Sequence, residues 1–356
     1  MSDLAPRGLP LVTTDLSGTG GESKVAPEDF VVEEIPAYLP GGTGEHLYLW
    51  IEKTGLSTQE AVRLIAKGLG VSEREVGYAG QKDRQAVTRQ WLSVHTTRDA
   101  FVSDEPRLRV LAVNRHSNKL RLGHAKGNRF VVTLRGTQPD SVDRATAVLT
   151  RLSEQGLPNF FGEQRFGRRG DNAQLGAALL GIGAHPQLER ARRDAFLRRL
   201  ALSALQSEVF NRVLAARLAD GLWSRVVEGD VLRKRVSGGI FVTTEPSTDQ
   251  PRVDVQELDI TGPLPGHRER PAAGGIAAQR EDAVLAEMGL TRPAFAAGGS
   301  QAEGARRPLR VPVEGATVRA VGPDALELTF TLPAGSYATR VLAEVTRSEV
   351  ELPSDG

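Results

Sequence analysis

The run 326–332, LELTFTL, reads as a strand with Leu326, Leu328 and Phe330 on one face, and a turn and one short helical stretch follow it. One strand and one helix bury too little surface to fold by themselves, so they have to join a sheet begun much earlier in the chain. The sequence between is not uniform. Up to about Gln155, strand and helix patterns alternate in irregular order, which predicts an α+β domain rather than a doubly wound parallel sheet. From Gly156 the chain becomes rich in Gly, aromatic and Arg residues, and then helical. The organisation predicted is one domain, 24–155 with 310–356, interrupted by an inserted domain, 156–309. Residues 1–23, rich in Gly, Pro, Ser and Thr, are expected to be poorly ordered. A length of 356 residues suits two domains.

Within the first part, 28–35 (EDFVVEEI) reads as a strand with apolar residues on both faces, and 46–51 alternates Leu47, Leu49 and Ile51. Ser57 with Glu60 forms a capping-box signature, followed by Val62, Ile65 and Leu69 at helical spacing. The segment 115–136 reads as a basic β-hairpin, and 141–155 as a helix. In the insertion, 186–218 predicts one or two amphipathic helices with Phe196 and Leu200 on the buried stripe, while 262–310 is expected to be loop-dominated apart from a short helix near 280–287.

Composition excludes several kinds of chemistry. Cysteine is absent, which removes disulfides, thiolate catalysis and Cys-based metal sites. The six His are scattered without an HExxH pattern, so no metal is expected, although carboxylate-bound magnesium stays open. No apolar run reaches membrane-spanning length and no charged-then-apolar leader is visible, which predicts a soluble, cytoplasmic protein. A formal net charge of +1 does not by itself announce a nucleic-acid binder, so basic groups have to be read locally.

The stretch 77–91, GYAGQKDRQAVTRQW, places Asp83 between Lys82 and Arg84 in a Gly-marked turn. A paired cation would keep such a carboxylate ionised beside an apolar ligand, fit to act as nucleophile or base. The plainer reading, a carboxylate that shapes a polar turn, comes first on these residues alone. In KGNRF (126–130), Asn128 and Phe130 share a strand face, so Phe130 could stack a base and Asn128 read its edge. Phe130 also aligns with Val132 and Leu134, as a core residue would. NFFGEQRFG (159–167) mixes Phe with Asn159, Gln164 and Arg165, and 190–199 carries Arg190, Arg192 and Arg193. Both suit contacts to RNA bases and phosphates, and equally a domain hinge and a solvated helix face.

These residues together resemble one family, the TruD-type tRNA pseudouridine synthases. The resemblance runs in order through Lys24 with PEDFVVEEI, AGQKDRQAVTRQ, KGNRF, LPNFFGEQRFG, TGPLPG and LPAGSYAT, and is poorest over 294–304. It implies a pseudouridine synthase fold, a mainly antiparallel sheet with flanking helices, interrupted by a family-specific α+β domain, the two forming a cleft. It implies isomerisation of the uridine at position 13 of tRNA, without cofactor or protein partner. Asp83 matches the catalytic aspartate, Phe30, Asn128 and Phe130 the substrate-contacting positions, and Lys24 a basic partner of the aspartate. Lys82 and Arg84 are then supports or phosphate contacts. The rival expectations are a synthase acting on other RNAs and a non-catalytic RNA-binding module.

Overall fold

The strand Ala325–Pro333 pairs antiparallel with Ala125–Thr137 along its whole length, with Phe330 opposite Phe130 and Leu332 opposite Asn128. This joins the end of the chain to a sheet begun about three hundred residues earlier in the computed structural model, which describes residues 8–347. The described residues form two units, 13–156 with 312–347, and 157–311 with 8–12.

In chain order the first unit supplies β1 (Gly20–Glu22), β2 (Phe30–Pro36), β3 (His46–Thr54), α1 (Thr58–Leu69), β4 (Val76–Tyr78), β5 (Val87–His95), β6 (Leu108–His116), β7 (Ala125–Thr137) and α2 (Ser141–Gln155). The second unit follows with β8 (Leu157–Pro158), α3 (Asn172–Leu179), α4 (Leu188–Arg193), α5 (Ala195–Ala219), β9 (Val231–Lys234), β10 (Ile240–Val242), α6 (Pro246–Asp254), β11 (Leu258–Leu264), α7 (Gly275–Glu287), α8 (Arg292–Ala296), β12 (Ala305–Pro308) and β13 (Arg310–Val311). The chain then returns to the first unit with β14 (Glu314–Gly322), β15 (Ala325–Pro333) and α9 (Ala338–Thr346).

The nine-stranded sheet of the first unit runs β14-β15-β7-β2-β5-β3-β6, with β1 added to β7 and β4 to β5. Its pairings are antiparallel except β2 with β5. One face is apolar. Leu47, Leu49 and Ile51 of β3 join Leu92 and Val94 of β5 under Ala61, Val62, Ile65 and Leu69 of α1. The capping box forms as the sequence spells it: Glu60 N–H donates to Ser57 Oγ at 3.2 Å, and Ser57 N–H to the Glu60 carboxylate at 2.7 Å. Farther along, α2 packs against β14 and α9.

Several sequence expectations change. Burial on both faces of β2 does not hold, because Arg89 donates to Glu33 (3.2 Å) and Glu52 (2.9 Å) across three strands, making that face a partly solvated ion ladder. Residues 115–136 are not a hairpin: β6 pairs with β3, whereas β7 pairs with β2 and β15. Turn-like residues between two alternating runs mimic a hairpin, but the partners were chosen by the whole sheet. Order also begins before Lys24. Gly20 pairs opposite Thr137, and Thr13 is buried with both its N–H and its hydroxyl donating to the Glu344 carboxylate at 3.1 and 2.6 Å. Those partners lie far away in sequence, so local composition carries no trace of them. The first seven residues lie outside the described ones.

The second unit is a four-stranded sheet, β10-β9-β11-β12, with α5 as its central helix and a core of α3, α5 and α7 side chains including Ala177, Leu205, Val209, Val284 and Leu285. The predicted helical run breaks at Asp194, whose carboxylate accepts from Phe196 N–H (3.0 Å) and Leu197 N–H (3.1 Å) and so starts α5. Phe196 is exposed rather than on the buried stripe. Within residues 262–310 the short helix expected near 280–287 begins earlier, as α7 from Gly275, and α8 and β12 form where loop is expected. No described helix is long and apolar enough to cross a membrane.

Candidate active site

The turn between β4 and β5 carries Asp83, and its position follows from the residues around it. Lys82 N–H donates to the Thr58 hydroxyl (2.9 Å) at the start of α1, and that hydroxyl also bonds the Gln90 side-chain carbonyl at 3.0 Å. Gln90 returns its amide N–H to the Gly80 carbonyl at 3.1 Å. From below, the Lys53 ammonium donates to the carbonyls of Leu56 (2.5 Å) and Asp83 (3.0 Å). The turn is thus tied both to α1 and to the core face of the sheet.

The Asp83 carboxylate has its own partners. One oxygen accepts from Gln85 N–H at 3.1 Å and the other from the Lys24 ammonium. The Lys24 side chain is 5% exposed and that of Asp83 25%, so the cation is nearly dry while the carboxylate remains reachable. Lys24 adopts a left-handed backbone, φ +62°, which costs an L-residue roughly 1–2 kcal/mol. The ion pair holds it there, and the ammonium also lies 4.4 Å from the centre of the Phe30 ring. Burial pushes the Asp83 carboxyl up, but Lys24, Gln85 N–H and the Lys53 charge together hold it below its usual value. The carboxylate is therefore ionised at neutral pH.

Register places the remaining candidates beside this pair. Opposed residues in β2, β7 and β15 share a face, which sets Phe30, Val32 and Glu34 next to Val132, Phe130 and Asn128. Phe30 meets Phe130 edge-on at 6.1 Å, and Phe130 stacks on Phe330 at 5.4 Å. Glu34 forms a buried ion pair with Lys82 at 2.7 Å. Asn128 Oδ1 is buried and has no hydrogen-bond partner among the described residues, a state that typically costs about 1–3 kcal/mol. Five sequence candidates, Lys24, Phe30, Asp83, Asn128 and Phe130, thus converge on one face.

Others go elsewhere. Lys82 is buried against Glu34 and braces the turn rather than meeting solvent. Arg84 is half-exposed, 3.5 Å from Glu60. In the second unit, Asn159 is buried and gives its amide to the Pro308 carbonyl (2.9 Å) while accepting from Arg307. Arg165 donates to Ser203 and Ser207 of α5. Both make hydrogen bonds inside that unit that hold its elements together. Gln164, Arg190, Arg192 and Arg193 are exposed, with Arg192 paired to Glu189 at 2.6 Å. Sequence reasoning missed Lys53, Glu34, Thr58 and Gln90. The signal was present for two of them, because Lys53 and Glu34 occupy core-face positions in strands whose other inward residues are apolar.

A carboxylate kept ionised by a dry lysine, beside two phenyl rings and an unsatisfied amide acceptor, suits nucleophilic or base chemistry on a planar polar ring, presented on a mainly antiparallel α+β sheet. The sequence matches the model of the family described as tRNA pseudouridine synthase D (TruD) over residues 7–185 and 190–345. It is 50% identical to the tRNA pseudouridine synthase D of Anaeromyxobacter sp. (strain Fw109-5) over 348 residues, covering 97% of each chain. It is 45% identical to a tRNA pseudouridine synthase D of Thermus thermophilus, covering 97% of this chain and 94% of the relative. The fold is similar to the crystal structure of a TruD-type protein from Methanosarcina mazei, with a TM-score of 0.77, 25% identity, and coverage of 96% and 97% of the two chains. The chain belongs to the TruD family of tRNA pseudouridine synthases.

Proposed function

We propose that this protein converts uridine at position 13 of tRNA to pseudouridine, with Asp83 as the nucleophile or base. The observation that carries the reading is the Lys24–Asp83 pair lying against Phe30, at family-matched positions drawn from two separate stretches of the chain. The reaction breaks the N-glycosidic bond and joins the same uracil to the same ribose through carbon, so no atom enters or leaves and no net oxidation occurs. An ionised carboxylate can serve by attack at ribose C1′, by attack at uracil C6, or by removing a ribose proton to give a glycal. A stacked or paired base is out of reach, so the uridine is flipped towards the carboxylate. Phe30 and Phe130 give the detached uracil an apolar support, and Asn128 Oδ1 offers an acceptor for a uracil N–H or a ribose hydroxyl.

In this reading the unit of residues 24–155 with 310–356 carries the chemistry. The inserted unit contributes tRNA contacts through its exposed cations Arg190, Arg192 and Arg193. The reaction takes place where tRNA is found, in the cytoplasm. The test is Asp83→Asn, nearly isosteric with the native residue. Pseudouridine formation should fall below detection while tRNA affinity stays within about 3-fold, a change worth well under the 1.4 kcal/mol of a tenfold effect. Appreciable turnover by the variant would remove Asp83 from the chemistry, and lost binding would make its role structural.

A further inference from the structure

β3 puts Leu47, Leu49, Ile51 and Lys53 on one face, and all four are fully buried. The first three are ordinary core residues. The fourth is an ammonium, whose removal from water is costly unless its protons are all satisfied. Here the donors go to backbone rather than to a carboxylate: the carbonyl of Leu56 at 2.5 Å, that of Asp83 at 3.0 Å, and that of Lys82 at the longer distance of 3.5 Å. Leu56 immediately precedes the Ser57 cap of α1, and Lys82 and Asp83 form the candidate catalytic turn. One buried charge therefore joins the two segments from which the turn hangs.

We propose that Lys53 is a positioning residue for the reaction, fixing the backbone of the Asp83 turn through its carbonyls and placing a buried positive charge behind the carboxylate. The proposal rests on Asp83 being the catalytic group. With the Asp83 carbonyl held by Lys53, one carboxylate oxygen by Gln85 N–H and the other by Lys24, both ends of the residue are fixed. A purely structural role needs only the carbonyls to be satisfied. A positioning role also needs the charge.

The surroundings of Lys53 make that charge sensitive to pH. Burial pulls its pKa down to about 8; Asp83 opposes this, Lys82 adds to it and Glu60 of α1 opposes it. Lys24 stands beyond, on the Asp83 carboxylate. The register neighbours of Lys53 are Thr88 on β5 and Leu108 on β6, neither of which titrates in this range. In the acid range where Asp83 titrates, Lys53 is fully charged and favours the ionised carboxylate; above about pH 8 the ammonium becomes an amine, but Asp83 is ionised there in either case.

The test compares wild type, Lys53→Met and Asp83→Asn by tRNA affinity and by single-turnover rate across pH. Lys53→Met is expected to bind tRNA within about 3-fold of wild type, to lose about 100-fold or more in rate, the scale of a misplaced reacting group, and to show an acid limb displaced to higher pH. Both changes are required. A slow variant with an unmoved acid limb makes Lys53 merely structural, and a wild-type rate removes it altogether. If Lys53→Met does not fold, Lys53→Gln decides by the same two readouts, because its amide can still donate to the carbonyls without carrying the charge: a slowed rate with the acid limb displaced to higher pH and tRNA affinity unchanged supports the proposal, and a wild-type rate or an unmoved limb overturns it. Asp83→Asn separates the two failures, because activity there would overturn the reading on which this proposal depends.

Discussion

At the scale of single residues, Lys24 combines two unfavourable features, a left-handed backbone and a nearly dry ammonium. The ion pair with Asp83 and the contact with the Phe30 ring offset them, so each member of the pair holds the other in place. The consequence for pH follows from the sign of the shift. Asp83 is held below its usual value, so its ionised carboxylate persists at neutral pH and is lost only as the pH falls through that lowered pKa. Lys24→Met removes the strongest of the influences holding it down and leaves burial to push it up. The single-turnover rate of this variant should decline on the acid side at pH values where wild type is still flat. A rate–pH profile from about pH 4 to 8, with wild type measured in parallel, checks this; coincident acid limbs would mean that Lys24 does not set the ionisation of Asp83.

At the scale of elements, the short helical turn Pro27–Asp29 delivers the chain from Lys24 into β2. Its anchor is Asp29, buried at 2% exposure, which accepts two bonds from Arg135 Nε at 3.0 Å, another from Nη2 at 2.7 Å, and one from Ala26 N–H at 2.9 Å. The Arg135 bond, chiefly, holds the Asp29 carboxyl below its ordinary value against the opposing effect of burial. Its stabilisation is therefore complete above about pH 4 and disappears as the pH falls through the lowered pKa. Asp29→Asn should destabilise the fold by about 1.5–3 kcal/mol at pH 7, the range for hydrogen bonds to a charged group. The gap from wild type should narrow as the pH falls through the lowered Asp29 pKa, and denaturant melts at pH 7 and in acid measure it; an equal gap at both would assign the effect to packing.

Elements also show what a sequence can and cannot disclose. Helix α1 was legible because its signals are local: Ser57 with Glu60, apolar residues at helical spacing, and Gly70 after its end in the left-handed region. Strand partners were not legible. β6 and β7 are neighbours in sequence, yet β2, β5 and β3 lie between them in the sheet. The site had the same character. Asp83, Phe30, Asn128 and Phe130 could be named from motifs, but the inward-facing Lys53 shows in the sequence only as a charge at a core-face position, since its partners are carbonyls that no residue pattern encodes.

At the scale of the whole molecule, the chain leaves its first unit after α2 and returns with β14, β15 and α9. The return completes the sheet and lies against the candidate site residues: Phe330 of β15 backs the Phe130 ring, and Leu332 lies opposite Asn128. The alternation in LELTFTL was the clue, because a strand so regular needs a partner and none is nearby in sequence. The central claim is that this assembly modifies one uridine of tRNA through Asp83. The most direct measurement maps pseudouridine at nucleotide resolution in total RNA from cells that lack the protein and cells that express it in wild-type or Asp83→Asn form. A signal at position 13 of tRNA is expected with the wild type and none with either the variant or the deletion. A wild-type signal only at other sites, or a signal at position 13 that persists with Asp83→Asn, would contradict the central claim.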